Sequence, residues 1–501
     1  MFAMFTCFYA LIIFIIGLVL ELSNILDDQP SMVFSIFMYG GSVAFFLYCH
    51  VVLMKSRISR NMVNGIRRAT INDEKLQYED TQSYPTGSLY IRLGCIVFGI
   101  FGVVNYGLIL TVCILENQTG GNNCNTCTII SVSLAIIFIF IQMHFVFCNS
   151  KIKVYGSVKI ARLGLMHLVA TNLWTWIRYI LIEEKTTTTE LGHANFGSNL
   201  IKILHEIEKK DYKIIKFLLC VYVCMYTCVV EYALICAGMT IVFWINLAKG
   251  TNEYRKHKRH KPGIISVDCS RTSTGLFLGF AIISFTLICI AIFNTYIYHH
   301  ESEFLANAIF FSADGIVLLS SLIAIIFAFF RLKDLNYKKK KADIDESSEL
   351  LDRILLVVGL VGQLIFSIGG IISLLNSMNF NYMIIVLIAI QFLRFFQVVL
   401  QSALLLIGSK LQAASPESQF NKPGKQVITF LLICNIALFI MNTFEAQKAG
   451  VTENIVRYFG SKAWALLVRG CSPLTIFYRF HSSACFAEIW KHAFKSASGE
   501  F

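Results

Sequence analysis

Residues 382–407 read YMIIVLIAIQFLRFFQVVLQSALLLI, an apolar stretch that nevertheless contains Arg394, Gln397 and Gln401. A bilayer's hydrocarbon core is about 30 Å thick, and a helix needs about 20 mostly apolar residues to cross it. This stretch is long enough to cross. A soluble protein has no reason to be this apolar over such a length, and a bilayer gives those polar side chains a reason to turn inward. Working outward, comparable segments lie at 2–22, 32–54, 89–115, 127–148, 163–182, 221–247, 276–299, 305–330, 354–375, 427–444 and 473–494, which makes twelve spans with 382–407 as the tenth.

Composition agrees. The chain has 501 residues, 56% of them hydrophobic and 15% charged, where soluble domains carry about 25% charged residues. A mean hydropathy of +0.64 with 42 Phe and 6 Pro excludes disordered, collagenous and small disulfide-rich proteins. The first span lacks the basic start of a signal peptide and runs long for one, so it is expected to persist as a helix.

The net charge of +12 follows from topology. With a cytoplasmic N-terminus, the loops after even-numbered spans lie inside. They hold basic runs such as Arg57, Arg60, Arg67 and Arg68, then Arg255, Lys256, Lys258 and Arg259, then Lys338 to Lys341. The outer loops after spans one, three, seven and nine hold no Lys or Arg. This is the positive-inside pattern with both termini cytoplasmic. The basic charge therefore suits anionic membrane lipid and does not indicate nucleic acid. Asn117-Gln-Thr119 is a glycosylation sequon in a predicted outer loop. Of the sixteen cysteines, those within spans, Cys95, Cys113, Cys236 and Cys434 among them, read as small buried apolar residues. Cys124 and Cys127 form a lone CxxC, compatible with a disulfide that cannot be paired from spacing.

The chain repeats itself. Gln142 in span four precedes Ser150-Lys-Ile by eight residues, and Gln401 in span ten precedes Ser409-Lys-Leu by the same interval. Asn172 in span five corresponds to Asn435 in span eleven. Tyr232 stands twelve residues before Trp244, as Tyr478 does before Trp490. The expected fold is therefore an all-α polytopic membrane protein of twelve transmembrane helices in two pseudo-repeated halves. Residues 1–248 and 273–501 form the halves, and the basic segment 249–272 joins them on the cytoplasmic side. An amide or phenol in hydrocarbon needs a polar partner, and a Gln, an Asn and a Tyr from three neighbouring helices can satisfy one another. Such a triad serves either as glue between helices or as a constriction in a polar pathway.

Ionisable residues at membrane depth cost about 2.5 to 3.5 kcal/mol each on insertion scales and are functional candidates. Glu21, His50, Arg92, Arg178, His299 and Lys491 lie near span ends, where snorkelling accounts for them. Glu231, Asp314 and His481 lie deeper. His481 follows Tyr478 by three residues and Glu488 follows His481 by seven, placing proton donors and acceptors along one helix face. Histidines and desolvated carboxylates exchange protons near physiological pH. With amides between them they suit proton relay better than metal-ion permeation, which uses carboxylate rings or carbonyl filters. There is no P-loop, HExxH or GxSxG, so an enzyme is not expected, and no cofactor is implied. A proton-coupled secondary transporter and a non-conducting receptor or scaffold are the other classes that fit.

Several motifs resemble those of the otopetrin family of proton channels. They are Gly87-Ser-Leu-Tyr-Ile-Arg-Leu-Gly94, His167-Leu-Val-Ala-Thr-Asn-Leu-Trp-Thr-Trp176, Val230-Glu-Tyr232, Asp268-Cys269 with Gly275-Leu-Phe-Leu-Gly279, Gln426-Val-Ile-Thr-Phe-Leu-Leu432, and Pro473-Leu-Thr-Ile-Phe-Tyr-Arg-Phe-His-Ser482. The resemblance implies a plasma-membrane homodimer, inhibition by zinc and entry of protons driven by extracellular acid. It also implies pathways constricted by Gln142, Asn172 and Tyr232 in one half and by Gln401, Asn435 and Tyr478 in the other. Glu231 and His481 match charged positions of the family. His167, Arg479 and Glu488 complete the candidate pathway residues, with Asp314 as a further intramembrane charge. Gln397 competes with Gln401, and the repeat spacing favours Gln401. Trp174 and Thr175 depart from the smaller or apolar residues usual after the Asn-Leu pair of span five.

Overall fold

The computed structural model describes residues 2–24, 33–49, 89–118, 126–148, 158–191, 212–249, 272–299, 303–337, 346–375, 382–413, 415–447 and 463–494. Most of the linker 249–272, most of the basic inner loops, Cys124 and His50 lie outside this set. The long helices are α1 (Phe2–Asn24), α2 (Val33–Cys49), α3 (Leu89–Gln118), α4 (Thr126–Cys148), α5 (Val158–Leu191) and α6 (Tyr212–Lys249). They continue with α7 (Ser273–His299), α8 (Glu303–Leu332), α9 (Glu346–Leu375), α10 (Tyr382–Gly408), α11 (Lys425–Gln447) and α12 (Ala463–His492).

Among the described residues, nine helices are long and apolar enough to cross a membrane. The chain is an all-α polytopic membrane protein. Helix α2 is a shorter apolar helix, and α5 and α12 fall outside the nine. In these last two, buried polar residues such as Asn172, Arg479 and His481 lower the hydropathy without facing lipid. The packing agrees with this reading. Large apolar side chains such as Phe277 (70% exposed) and Tyr382 (79%) point outward, while Gln142, Gln397, Gln401 and Asn435 are fully buried. Polar groups inside and apolar groups outside is the arrangement that hydrocarbon surroundings require.

Two compact units emerge. The first comprises Met1–Pro262 with Ile344–Leu351, and the second Gly263–Asp343 with Asp352–Phe501. In the first, α5 packs on α1 and α6, and α3 packs on α4 and α6. In the second, α11 packs on α7, α8 and α12, while α10 packs on α8 and α12. Gly275 and Gly279 explain the spacing of their motif. A Cβ at Gly275 would land on the carbonyl oxygen of Gln426, and one at Gly279 would lie 2.6 Å from Ile433 Cδ1, so both glycines let α7 approach α11 closely.

Three local features differ from the sequence reading. Helix α3 continues through Gln118, so Asn117 falls in its last turn and not in a loop. Helix α12 begins at Ala463 and takes Pro473 into its interior, where membrane helices tolerate proline because neighbours satisfy the freed backbone groups. Cys113 is disulfide-bonded to a partner outside the described side chains, so it is not merely a small core residue. The second unit also has β1 (Asn336–Tyr337) paired antiparallel with β2 (Leu411–Gln412). A short helix, Pro416–Asn421, starts at a capping box of Ser415 and Ser418 and ends at Lys422 in the left-handed region. Gly424, at φ 82°, completes the turn into α11.

Candidate functional site

In the second unit the predicted trio meets. Gln401 on α10 and Asn435 on α11 exchange two hydrogen bonds: Gln401 Nε2 donates to Asn435 Oδ1 (2.9 Å) and Asn435 Nδ2 donates to Gln401 Oε1 (3.0 Å). Asn435 Nδ2 also donates to Leu431 O, 2.8 Å away on its own helix. Gln401 Nε2 lies 3.4 Å from the hydroxyl of Tyr478 on α12, which donates to Val398 O at 3.0 Å and sits 2.8 Å from Ser402 Oγ. A Cβ on Gly359 of α9 would come within 3.1 Å of Tyr478 Cα, so the absence of a side chain there lets α9 support the tyrosine's backbone.

Gln397 does not compete with Gln401; it extends the same network. Its Nε2 donates to Gln401 Oε1 (2.8 Å) and to Ser321 Oγ (3.0 Å), while its Oε1 accepts from Arg479 Nη1 at 2.8 Å. Further along the α8–α10 contact, Arg394 donates to Asp314 Oδ2 at 2.6 Å, with both side chains 2% exposed. Asp314, isolated in the sequence, thus has a buried partner one helix away.

The expected face of Tyr478, His481 and Glu488 divides. His481 is 1% exposed; its Nε2 lies 2.9 Å from the carbonyl oxygen of Asp352 on α9, and its ring stacks on Phe477. Glu488 pairs with His492, one turn away, at 3.1 Å. Tyr478 reaches α10 instead, so these three do not form a continuous chain.

In the first unit the trio is looser. Tyr232 on α6 donates to Gln142 Oε1 (3.2 Å) and to Ile139 O (3.1 Å), both on α4. Asn172 on α5 donates to Leu168 O of its own helix at 2.8 Å. Gln142 Nε2, Asn172 Oδ1 and both carboxylate oxygens of Glu231 are buried without a hydrogen-bond partner among the described residues. Each such atom seeks a partner in a low-dielectric setting. His167 faces elsewhere, between Tyr9 OH (3.1 Å from Nδ1) and Met38 O (3.1 Å from Nε2).

Snorkelling does not describe Glu21 and Arg178. Arg178 Nη1 donates to Ser35 Oγ, its Nε is 3.8 Å from Glu21 Oε1, and its guanidinium lies over the Trp174 ring. Trp174 is completely buried and fits against α1 because Gly17 has no side chain: a Cβ there would lie 2.6 Å from its indole. Among the described residues no group of three or more His, Cys, Asp or Glu is placed to hold a metal ion.

Against known proteins, the otopetrin family profile matches residues 90–218 and 210–480. The chain belongs to the otopetrin family. It is 26% identical to the proton channel OtopLc of Drosophila melanogaster, a match covering 98% of this chain and 35% of that protein. It is 22% identical to the human proton channel OTOP2, over 81% of this chain and 82% of the relative. The mouse protein of the same name is 20% identical, over 83% and 84%. This otopetrin chain thus spans about a third of the fly protein's length and about four fifths of each mammalian protein's. The otopetrin family is one of channels and not of enzymes.

Proposed function

We propose that this otopetrin is a proton-selective channel of the plasma membrane that admits protons to the cytosol when the outside is acidic. The observation that carries the reading is the family match, whose relatives are named proton channels. The buried polar groups of both units supply chemistry that fits it. Hydroxyls donate and accept, amides hold water in register, and Glu231 and His481 are groups that take up and release protons. Asn172 and Glu231 line the passage in one half, with Gln142 and Tyr232 as its constriction. Asn435 and His481 do so in the other, with Gln401, Tyr478 and Arg479.

The proposal includes twelve spans, with α2, α5 and α12 crossing beside the nine apolar helices, and two halves at 1–248 and 273–501 joined by the basic linker. Both termini are cytoplasmic, Asn117 carries glycan, the channel is a homodimer, and zinc inhibits it. Expression in cells lacking proton currents, with whole-cell recording during external acidification, tests the central claim. The expected result is an inward current whose reversal follows the proton gradient without added solute. A current that appears only with a second substrate makes the protein a proton-coupled transporter, and silence at the surface removes conduction altogether.

A further inference from the structure

The first unit contains a second polar cluster, on the far side of Asn172 from the α5 N-terminus. Tyr39 OH of α2 lies 2.9 Å from Tyr106 OH of α3 and 3.1 Å from Thr175 Oγ1 of α5, and all three side chains are buried. Arg178, on the same helix as Thr175, closes the cluster through Ser35 and Glu21. Asn172, Thr175 and Arg178 follow one another at intervals of three residues. At 1.5 Å per residue the hydroxyl cluster lies about 4.5 Å, and Arg178 about 9 Å, beyond the triad along α5. The Tyr39 ring also contacts Phe138, one turn before Gln142 on α4. The cluster is therefore the adjoining tier of the same helix bundle. With a cytoplasmic N-terminus it is the outer tier.

We propose that this tier filters the permeating species: the Tyr39, Tyr106 and Thr175 hydroxyls pass protons while the Arg178 charge rejects metal cations. The inference rests on the proton-channel reading above. A guanidinium stays charged and offers only donors. The Arg178 guanidinium lies 5.2 Å from the centre of the Trp174 ring, and that ring packs 5.4 Å from the Tyr39 ring. The guanidinium thus lies one aromatic ring away from Tyr39, with Glu21 3.8 Å from its Nε. A positive charge opposes an excess proton as well as a metal ion, but hydroxyls have another route. The Thr175 hydroxyl gives its proton to a water on the triad side as the Tyr39 O–H breaks and a new bond forms at Thr175 Oγ1, the Tyr106 O–H breaks as a new bond forms at the Tyr39 oxygen, and Tyr106 takes a proton from a hydronium ion on the outer side. One bond breaks and one forms at each transfer, one proton moves inward, and the transient charge beside Arg178 is negative. Metal cations have no equivalent route.

Whole-cell recording of the full chain, with external sodium exchanged for N-methyl-D-glucamine at fixed pH, tests this. The wild-type reversal potential is expected not to move. Arg178→Gln, and Arg178→Gln with Glu21→Gln to avoid a stranded carboxylate, are expected to raise sodium permeability relative to protons roughly tenfold or more. That is the order expected for removing a unit charge about 10 Å from the path at an effective dielectric near 20. Arg178→Lys keeps the charge and should keep selectivity. Tyr39→Phe and Thr175→Val leave the charge in place, and each should lower acid-evoked current at least about tenfold with unchanged reversal, as loss of a positioned proton donor does. Selectivity kept in both neutral variants, or wild-type current in both hydroxyl variants, overturns the filter. Absence of wild-type proton current sinks the channel reading itself, an outcome distinct from either.

Discussion

Gln401 and Asn435 in the second unit present their amides to each other, and every amide atom of the pair has a partner. Gln142 and Asn172 in the first unit are the same residue types at the same repeat positions, yet Gln142 Nε2 and Asn172 Oδ1 have none among the described residues. The neighbours account for the difference. Aligning Gln401 with Gln142 and Tyr478 with Tyr232 places Gln397, Ser402 and Arg479 opposite Phe138, Met143 and Ala233. The three polar neighbours that complete the second network are apolar in the first. Conversely, Glu231 stands opposite Phe477. Duplicated residues have therefore produced one network, closed in that both amides are fully bonded, and one site, open in that its carboxyl group has no hydrogen-bond partner among the described residues. An amide bonded to its neighbours must break a bond before it takes a proton or water, whereas Gln142 Nε2, Asn172 Oδ1 and the Glu231 carboxyl oxygens have no hydrogen bond to break among the described residues. Of the two proposed passages, the first is thus expected to carry the larger share of the current, while the bonds of the second also hold helices together.

The largest expected effect comes from the closed side. Arg394→Leu leaves Asp314 as a buried charge and should destabilise the purified protein by about 3–5 kcal/mol, read as a loss of thermal stability in detergent. Asp314→Leu combined with Arg394→Leu should recover most of that loss. A double variant as unstable as the single one would mean that the pair has a structural role beyond charge balance.

Conduction should respond on the open side. Glu231→Gln removes a proton-exchanging group but retains its volume, and it should reduce acid-evoked current roughly tenfold or more, equivalent to about 1.4 kcal/mol on the barrier. Surface protein should be unchanged. If Asn435→Ala lowers current roughly tenfold while Glu231→Gln has little effect, the assignment of roles to the two units is reversed.

Much of this was legible in the sequence because hydrophobic segments of bilayer length are a coarse and redundant signal. A helix lies within each predicted interval as far as it is described, nine of these helices are long and apolar enough to cross a membrane, and the Gln401, Asn435 and Tyr478 spacing picks out side chains that do meet. Interhelical partners were less accessible. Asp314 and Arg394 are 80 residues apart, so no local spacing links them. Glu21 and Arg178 looked like snorkelling ends because position along a span says nothing about which face a side chain takes. The hydroxyl tier was missed for a related reason: Tyr39 and Tyr106 lie in otherwise apolar segments, where a tyrosine reads as part of the core. By sequence Thr175 is only a departure from the family pattern, although it supplies a partner for Tyr39.

Matched substitutions compare the two networks directly. Gln401→Leu removes a member that bonds Asn435, Tyr478 and Gln397, and it should cost about 1–3 kcal/mol at the modest value of each interhelical bond. Gln142→Leu should cost less than about 1 kcal/mol, because Tyr232 keeps Ile139 O as an acceptor and Gln142 Nε2, which has no partner among the described residues, is removed with the side chain. Thermal unfolding of the two variants side by side measures the difference, and equal losses would contradict the distinction between closed and open networks.

The smallest effect is expected at Ser402. Ser402→Ala takes one partner from Tyr478, but the phenol still donates to Val398 O, so no buried donor is stranded. The cost should be about 0.5–1 kcal/mol, with acid-evoked current unchanged. The value of the variant lies in its position at the edge of the network. If the bonds contribute independently, removing this edge member costs clearly less than removing Gln401 at the centre. If Ser402→Ala costs as much as Gln401→Leu, the bonds strengthen one another cooperatively, and the second unit's network must be treated as a single element.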